Sequence, residues 1–158
     1  MVTRVPYNMI GAPLNALAFP GVVGDGVNND YVGLVAWITE AKTRVSPHLV
    51  LPPGSYNIGA NTLTFDLPNG SSIDFQGEIV STISTANPAV RIGATASNPF
   101  WYTVRGLRVR RTTNDASAGT IGVECRNVVW ASIDVRSVVG FEYGLKVMGT
   151  AANGGVSY

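Results

Sequence analysis

The sequence predicts a mainly-β protein, a parallel β-helix whose short strands stack coil upon coil, with an extended N-terminal arm and one capping α-helix. Three observations predict this fold class. Beyond about residue 59, the 158-residue chain consists of short β-branched runs separated by Gly, Asn, Ser and Pro. Pairs of apolar residues recur there every 22 to 34 positions, as in repeats that bury a core only by stacking. A segment with helical periodicity lies just before the first strands.

The first 23 residues are predicted to form an extended arm. They show little hydrophobic periodicity and contain Pro6, Gly11, Pro13, Pro20 and Gly21. Proline and glycine at this density oppose both helix and sheet. We therefore divide the chain into an extended arm over residues 1–23, suited to attachment or assembly, and a single domain over residues 24–158.

The capping helix is predicted over about residues 31–44. Gly24 and Gly26 form a turn, and Asp30 follows as an N-cap residue. Apolar residues then recur at spacings of three and four: Tyr31, Leu34, Val35, Ile38 and Ala41. The first coil of a β-helix exposes strand hydrogen-bonding groups that recruit wrong partners. A helix at this point in the chain covers them, and Val32 faces outward.

The first coil is predicted to begin at a tight corner. A short apolar strand, Leu49–Leu51, ends at Pro52 and Pro53, which cannot continue a sheet ladder. Gly54 then turns the chain into a second strand, Ser55–Ile58.

Two series of apolar pairs predict how the later strands align. The first is Ile73/Phe75, Leu107/Val109 and Ile133/Val135, and the second is Val90/Ile92, Val123/Cys125 and Leu145/Val147. The residues between the pairs form outward ladders of alternating charge: Asp74, Arg108 and Asp134 in the first, Arg91, Glu124 and Lys146 in the second. In this register Arg108 neutralises two aspartates, and Arg110 and Arg136 are left unpaired.

Charge and hydropathy limit the partners of the chain. Eleven Lys and Arg oppose ten Asp and Glu, so the net charge of +1 gives no attraction to nucleic acid or to an anionic membrane. No run approaches the ~20 apolar residues of a membrane span, so no membrane insertion is predicted. Only 13% of residues are charged, which predicts that some surface is buried against copies of the chain or against a partner. The single cysteine, Cys125, cannot form a disulfide within the chain.

The residues predict no catalytic, cofactor or metal site. Asp74 and Asp134 share a ladder, but Arg108 lies between them, about two strand spacings or ~9.6 Å in total, just beyond the separation of paired glycosidase carboxylates. His48 has no nucleophile motif, and the Gly-Asp-Gly turn lacks the Gly-Lys-Ser/Thr of a phosphate loop. Four residues remain as candidates for surface binding of sugars or anions: Trp101, Trp130, Arg110 and Arg136.

The segment Gly24–Gly59, "GDGVNNDYVGLVAWITEAKTRVSPHLVLPPGSYNIG", resembles the N-terminal signature of the pectate-lyase-like right-handed β-helix superfamily, in the branch with phage tailspikes and other virion spikes. The matching residues are Gly24, Asp25, Gly26, Asp30, Pro52, Pro53, Gly54 and Tyr56. Asn29 and Tyr31 depart from the usual Asp and Thr. The preceding "VTRVPYNMI" is similar to a segment that often precedes this motif in phage tail proteins.

This resemblance implies a right-handed β-helix and a virion structural protein assembled in the host cytoplasm. It implies the N-terminal region of a trimeric tailspike or tail fibre, attached to other tail or capsid proteins and presenting a surface to host polysaccharide. A longer parent spike could be a polysaccharide depolymerase. Two alternatives stay open: a trimeric capsid decoration protein complete at 158 residues, and a polysaccharide lyase or hydrolase.

Overall fold

A computed structural model describes residues 12–93, 101–113, 119–129 and 131–149. In these ranges the chain forms 12 strands, one α-helix and one short 3-10 helix over Ala16–Ala18. The strands and the helix are β1 (Leu14–Asn15), β2 (Asp25–Asn29), α1 (Tyr31–Lys42), β3 (His48–Leu51), β4 (Ser55–Asn57), β5 (Leu63–Phe65), β6 (Ser72–Phe75), β7 (Glu78–Ser81), β8 (Pro88–Ile92), β9 (Thr103–Arg111), β10 (Ile121–Arg126), β11 (Ser132–Val139) and β12 (Tyr143–Met148).

The larger sheet has eight strands in the order β1-β3-β6-β9-β7-β4-β2, with β11 also paired to β9. Every pair in it is parallel. The first part of β9 pairs with β6, where Val104 is opposite Ile73. The last part pairs with β7, where Val109 is opposite Ile79. β9 thus joins two halves of the larger sheet, one containing β6 and the other containing β7, and the sheet curls as a half-barrel.

The bend between the two halves of the larger sheet is at Gly106. This residue has a φ of 71°, a left-handed conformation that costs glycine little. A Cβ atom on it would lie 2.6 Å from the carbonyl oxygen of Phe75, so no other residue fits without a shift of the backbone. The larger sheet can therefore turn here without ending β9.

The smaller sheet has four parallel strands in the order β12-β10-β8-β5. Its inward residues form two columns, Leu63/Val90/Val123/Leu145 and Phe65/Ile92/Cys125/Val147. The second predicted series is confirmed, since Arg91, Glu124 and Lys146 also align in adjacent strands.

The core lies between the two sheets and continues under α1. Phe65 of the smaller sheet contacts Phe75 of the larger one edge to face, with ring centroids 5.5 Å apart. Trp37 of α1 contacts the other side of Phe65 at 6.1 Å, and its indole N–H donates to the carbonyl of Leu14 at 2.8 Å. Leu34, Trp37, Ile38 and Ala41 are buried, so α1 covers the end of the core formed by the first strands. Val32 is 78% exposed, as predicted, whereas Val35 is 39% exposed and does not belong to the covering face.

The predicted right-handed parallel β-helix is wrong. Such a solenoid repeats one coil that adds one strand to each of its sheets, but β9 and β11 are single strands that run along the larger sheet, and that sheet curls as one unit. The mainly-β content and the parallel pairing agree with the sequence. Spacing of apolar pairs indicates which strands are neighbours, but sheet curvature depends on bends such as Gly106.

The predicted arm is also corrected where the structure describes it. Leu14 and Ala16 are fully buried, and Leu14 is opposite Leu49 in the larger sheet. This part of residues 1–23 belongs to the body of the fold because its apolar side chains complete the core beside α1. Residues 1–11 lie outside the described ranges.

Candidate functional site

The residues of the sequence motif meet around the buried side chain of Asp30. Its carboxylate accepts hydrogen bonds from the backbone N–H groups of Val23 at 2.6 Å, Gly24 at 3.2 Å and Asn57 at 3.0 Å. Asp30 was predicted to cap α1, but its side chain makes no capping bond. Asp30 occupies the predicted N-cap position, and it is the Asn29 side chain that accepts from the N–H of Tyr31, at 3.0 Å. Asp30 therefore ties the glycine turn to β4.

The Pro-Pro-Gly corner is the other half of the same structure. Tyr56 is fully buried, and its hydroxyl donates to the carbonyl of Pro52 at 3.0 Å. A Cβ on Gly24 would lie 2.9 Å from the Tyr56 ring, and Gly24 accepts from the N–H of Ser55 at 2.9 Å. Burial, and to a smaller extent the charge of Asp30, raises the pKa of Tyr56 to about 12.

Asp25 and Gly26 form the outer part of the glycine turn. The Asp25 side chain accepts from the N–H groups of Val27 and Asn28, both at 2.9 Å, and these bonds lower its pKa. Gly26 has a φ of 77°. Of the motif residues, Gly24, Asp30, Pro52 and Tyr56 thus hold the glycine turn, β4 and the corner together.

The arginines of β9 and β11 pair differently from the sequence prediction. Arg110 contacts Glu78 at 3.1 Å and Arg136 contacts Asp134 at 3.4 Å, so the two arginines expected to be unpaired both have carboxylate partners. Arg108, expected to neutralise Asp74 and Asp134, is exposed and aligned with Ser137. The residue opposite Asp74 is Arg105, which is also exposed. The first predicted ladder is therefore wrong.

The reason is the geometry of β9. Its nine residues pair with both halves of the larger sheet, so Ile73 is opposite Val104 rather than Leu107. Register shifts in the β9–β11 ladder displace the later residues further. As a result Arg105, Arg108 and Arg136 lie near the bend at Gly106, whereas the sequence prediction paired Arg108 with aspartates and grouped Arg136 with Arg110. We call these three residues the arginine corner. A glycine flanked by arginines within a strand was the available signal.

The two aromatic candidates are at the start of β9 and before β11. Trp101 is 64% exposed, which leaves its indole accessible at the surface. Trp130 lies outside the described residues. The neighbouring Tyr102 is buried, and its hydroxyl donates to the carbonyl of Leu67 and accepts from the Leu67 N–H. Of the aromatic pair Trp101 and Tyr102, only Trp101 is available to a ligand.

The carboxylates of the larger sheet are held by their neighbours. Asp134 accepts from the N–H of Gly106 at 3.0 Å, and Asp74 lies 3.6 Å from Nε2 of His48. Asp74 and Asp134 are on strands that lie on either side of β9, where Arg105 rather than the predicted Arg108 is opposite Asp74. Within the described ranges, no three His, Cys, Asp or Glu side chains are close enough to hold a metal ion.

The smaller sheet has a buried charge cluster on its outward ladder. Glu124 is buried and contacts the guanidinium groups of Arg91 at 2.6 Å and Arg126 at 3.2 Å. Because an unpaired buried carboxylate is costly, this arrangement favours one register of β8 and β10. Burial raises the pKa of the adjacent Cys125 thiol to about 11, and Glu124 adds a smaller effect in the same direction. Cys125 is therefore protonated at neutral pH and packs as a small apolar side chain.

Comparisons with known proteins give one informative result. No family model and no curated protein matches the sequence. Among solved structures, the chain is similar to a protein described as Geobacillus virus E2 ORF18, with a TM-score of 0.60 and 21% sequence identity. The likeness covers 75% of this chain and 24% of that one, so this chain spans about a quarter of the length of its structural neighbour. The two share a fold over the matched part, while membership in the pectate-lyase-like superfamily stays a prediction.

No helix in the part of the chain that the structure describes is both long and apolar enough to cross a bilayer.

Proposed function

We propose that this chain is a structural protein of a phage particle and forms part of a tailspike or tail fibre. The observation that carries the proposal is the likeness in fold to a protein of Geobacillus virus E2. The resemblance of residues 24–59 to the N-terminal signature of virion spikes supports it independently. In this role residues 1–11, the part of the predicted arm that precedes the described residues, contribute to attachment to the tail or capsid, and the outer face of the larger sheet is presented to host polysaccharide.

The architecture suits a load-bearing part better than a mobile one. Both sheets are parallel throughout, and Asp30 and Tyr56 tie loops to strands by buried hydrogen bonds. The motif residues Gly24, Asp30, Pro52 and Tyr56 hold the glycine turn and the corner. These contacts favour a rigid support over an enzyme for this chain.

We further propose that the protein acts as a homotrimer in contact with other virion proteins. Its low proportion of charged residues leaves apolar side chains on the surface, among them Val23, Val27 and Val32 beside the start of α1. Burial of such side chains between subunits favours assembly. Sedimentation equilibrium of the full chain should give three times the monomer mass, and a monomer at every concentration would contradict the trimer.

The proposed location is tested on purified particles of the phage that encodes the chain. Gold-labelled antibodies raised against residues 24–158 should decorate the tail, and mass spectrometry of the banded particles should detect its peptides. Label over the whole capsid surface would instead identify a decoration protein. Peptides found only in infected-cell lysate, and absent from particles, would contradict a virion role altogether.

A further inference from the structure

Two arginines on β9 differ from the other arginines of the described ranges. Arg105 and Arg108 are exposed and have neither an ion pair nor a hydrogen-bond acceptor. The other arginines have partners: Arg44 with Glu40, Arg91 and Arg126 with Glu124, Arg110 with Glu78, Arg136 with Asp134, and Arg111 with the carbonyl of Ile83. An exposed, unbonded guanidinium keeps five N–H donors for a ligand.

The bend at Gly106 puts Arg105 and Arg108 on the same face of β9. In a regular strand, residues three apart point to opposite faces, because side chains alternate with a period of two. Here Val104 and Leu107 are buried, while Arg105 and Arg108 are exposed. The left-handed backbone of Gly106 shifts the alternation by one residue. The arrangement is thus a property of the fold, since no side chain is tolerated at Gly106.

Arg136 completes the arginine corner from the neighbouring strand. Its Nε atom would lie 3.8 Å from a Cβ placed on Gly106, so the side chain extends along the bend. It is more than half exposed and contacts Asp134 at 3.4 Å, which leaves the other edge of its guanidinium group free. Three arginines from two adjacent strands therefore flank the bend at Gly106.

The carboxylates near the arginine corner are held by other groups. Asp134 accepts from the Gly106 N–H as well as from Arg136. Asp74, opposite Arg105, lies 3.6 Å from His48, and Glu78 accepts from both Arg110 and Ser55. The hydrogen bonds hold Asp134 and Glu78 in place, whereas Arg105 and Arg108 have no counterion among the described residues. A carboxylate brought by a ligand would supply it.

We propose that the arginine corner binds the carboxylate groups of an acidic polysaccharide. The planar guanidinium fork matches a carboxylate with two parallel hydrogen bonds, a geometry that a lysine cannot reproduce. A polysaccharide fits better than a nucleic acid, because the site is confined to one bend and the chain has a net charge of only +1. The inference rests on the proposed presentation of this sheet to host polysaccharide and names the chemical class of that polysaccharide.

The test measures binding of the full chain to three probes at low salt: polygalacturonate, neutral dextran and a single-stranded oligonucleotide. The variant is Arg105→Gln/Arg108→Gln, and the matched control is Lys42→Gln/Lys146→Gln, which removes the same charge from other exposed positions. A third protein, Arg105→Lys/Arg108→Lys, keeps the two positive charges but removes the two planar guanidinium groups. Thermal melts of all four proteins check that these surface changes leave the fold intact.

We expect the wild type to bind polygalacturonate and not dextran. The Gln variant should lose at least about tenfold in affinity, the Lys variant should fall between it and the wild type, and the control should change less than about twofold. An equal loss in the control, or preference for the oligonucleotide, would overturn the proposal. Binding of dextran unaffected by the Gln variant would refute the acidic class while leaving polysaccharide binding in place. Failure of every probe to bind would refute the inference, and labelling of phage particles would still decide the proposed function separately.

Discussion

The two ends of the parallel sheets differ in how their cores are covered. At the first end, β1 has only two residues, β2 is irregularly paired, and α1 packs over the apolar interior. At the other end, β11 and β12 are longer, and among the described strands each pairs on one side only. Leu63 and Leu145 occupy the same column of the smaller sheet, yet the first is fully buried and the second is 52% exposed. Burial here depends on what lies beyond the column, and within the described residues only the first end has such a cover.

The comparison teaches that stability is unevenly distributed along the sheets. Unpaired strand edges recruit other chains, and native proteins protect them with short strands or a covering element. The first end has both devices. The larger sheet therefore gains its core from β3, β4 and α1, while β11 and β12 contribute less burial and should open more easily.

The largest effect is expected from a charge beneath the helix. Leu34→Asp places a carboxylate on the fully buried face of α1, where it should cost about 3–5 kcal/mol and expose the first strand edges. Val32→Asp, on the exposed face of the same helix, should be nearly neutral. Soluble yield and oligomeric state of the two variants provide the measurement. Wild-type behaviour of both would mean that α1 does not protect the sheets.

The next effect compares the same truncation at the two ends of one column. Leu63→Ala should lower the free energy of unfolding by about 2–5 kcal/mol, because it leaves a cavity in a packed core. Leu145→Ala should cost less than about 1 kcal/mol, since that side chain is half exposed. Urea unfolding of both proteins checks the difference. Equal losses would show that β12 is as well packed as β5.

A somewhat smaller loss is expected at the carboxylate that joins the glycine turn to β4. Asp30→Ala removes the acceptor of three backbone N–H groups in a buried place and should cost about 2–3 kcal/mol. Asp25→Ala, a carboxylate that is exposed and makes only local bonds, is the matched control and should cost much less. Thermal unfolding would contradict the anchoring role if the two variants melted together.

The smallest effect is a dependence on alkaline pH. The pKa of Tyr56 is about 12 in the folded chain, above its ordinary value of 10.0, so the folded state holds this proton more tightly. Its contribution is complete below pH 10 and is lost as the pH rises toward 12. Tyr56→Phe should therefore show a shallower decline in stability between these values, and Tyr143→Phe, at an exposed position, should follow the wild type. Parallel declines in the wild type and Tyr56→Phe would contradict this origin.

The sequence predicts the register of the smaller sheet and fails for the larger one. Arg91, Glu124 and Lys146 align as expected, because β8, β10 and β12 are regular strands of five or six residues. The prediction for Asp74 fails because Gly106 bends β9 and shifts its alternation, so that Arg105 takes the position given to Arg108. Backbone bends of this kind depend on contacts with neighbouring strands that periodicity does not contain.

The candidate site was also predicted only in part from the sequence. The eight motif residues could be identified from the sequence, and the structure brings Gly24, Asp30, Pro52 and Tyr56 into contact through the turn and the corner. The arginine corner was not predicted as a group, because its composition depends on which arginines pair with carboxylates after the strands align. Arg110 and Arg136 were selected as unpaired, and both have partners.

Hydrogen exchange followed by mass spectrometry tests the difference between the two ends most directly. Amides of β3, β5 and β6, near the covered end, should exchange at the rate of global unfolding, whereas those of β12 should exchange much faster through local opening. Leu34→Asp should remove the protection near α1 first. Protection of β12 equal to that of β5 in the wild-type chain would contradict an uneven distribution of stability.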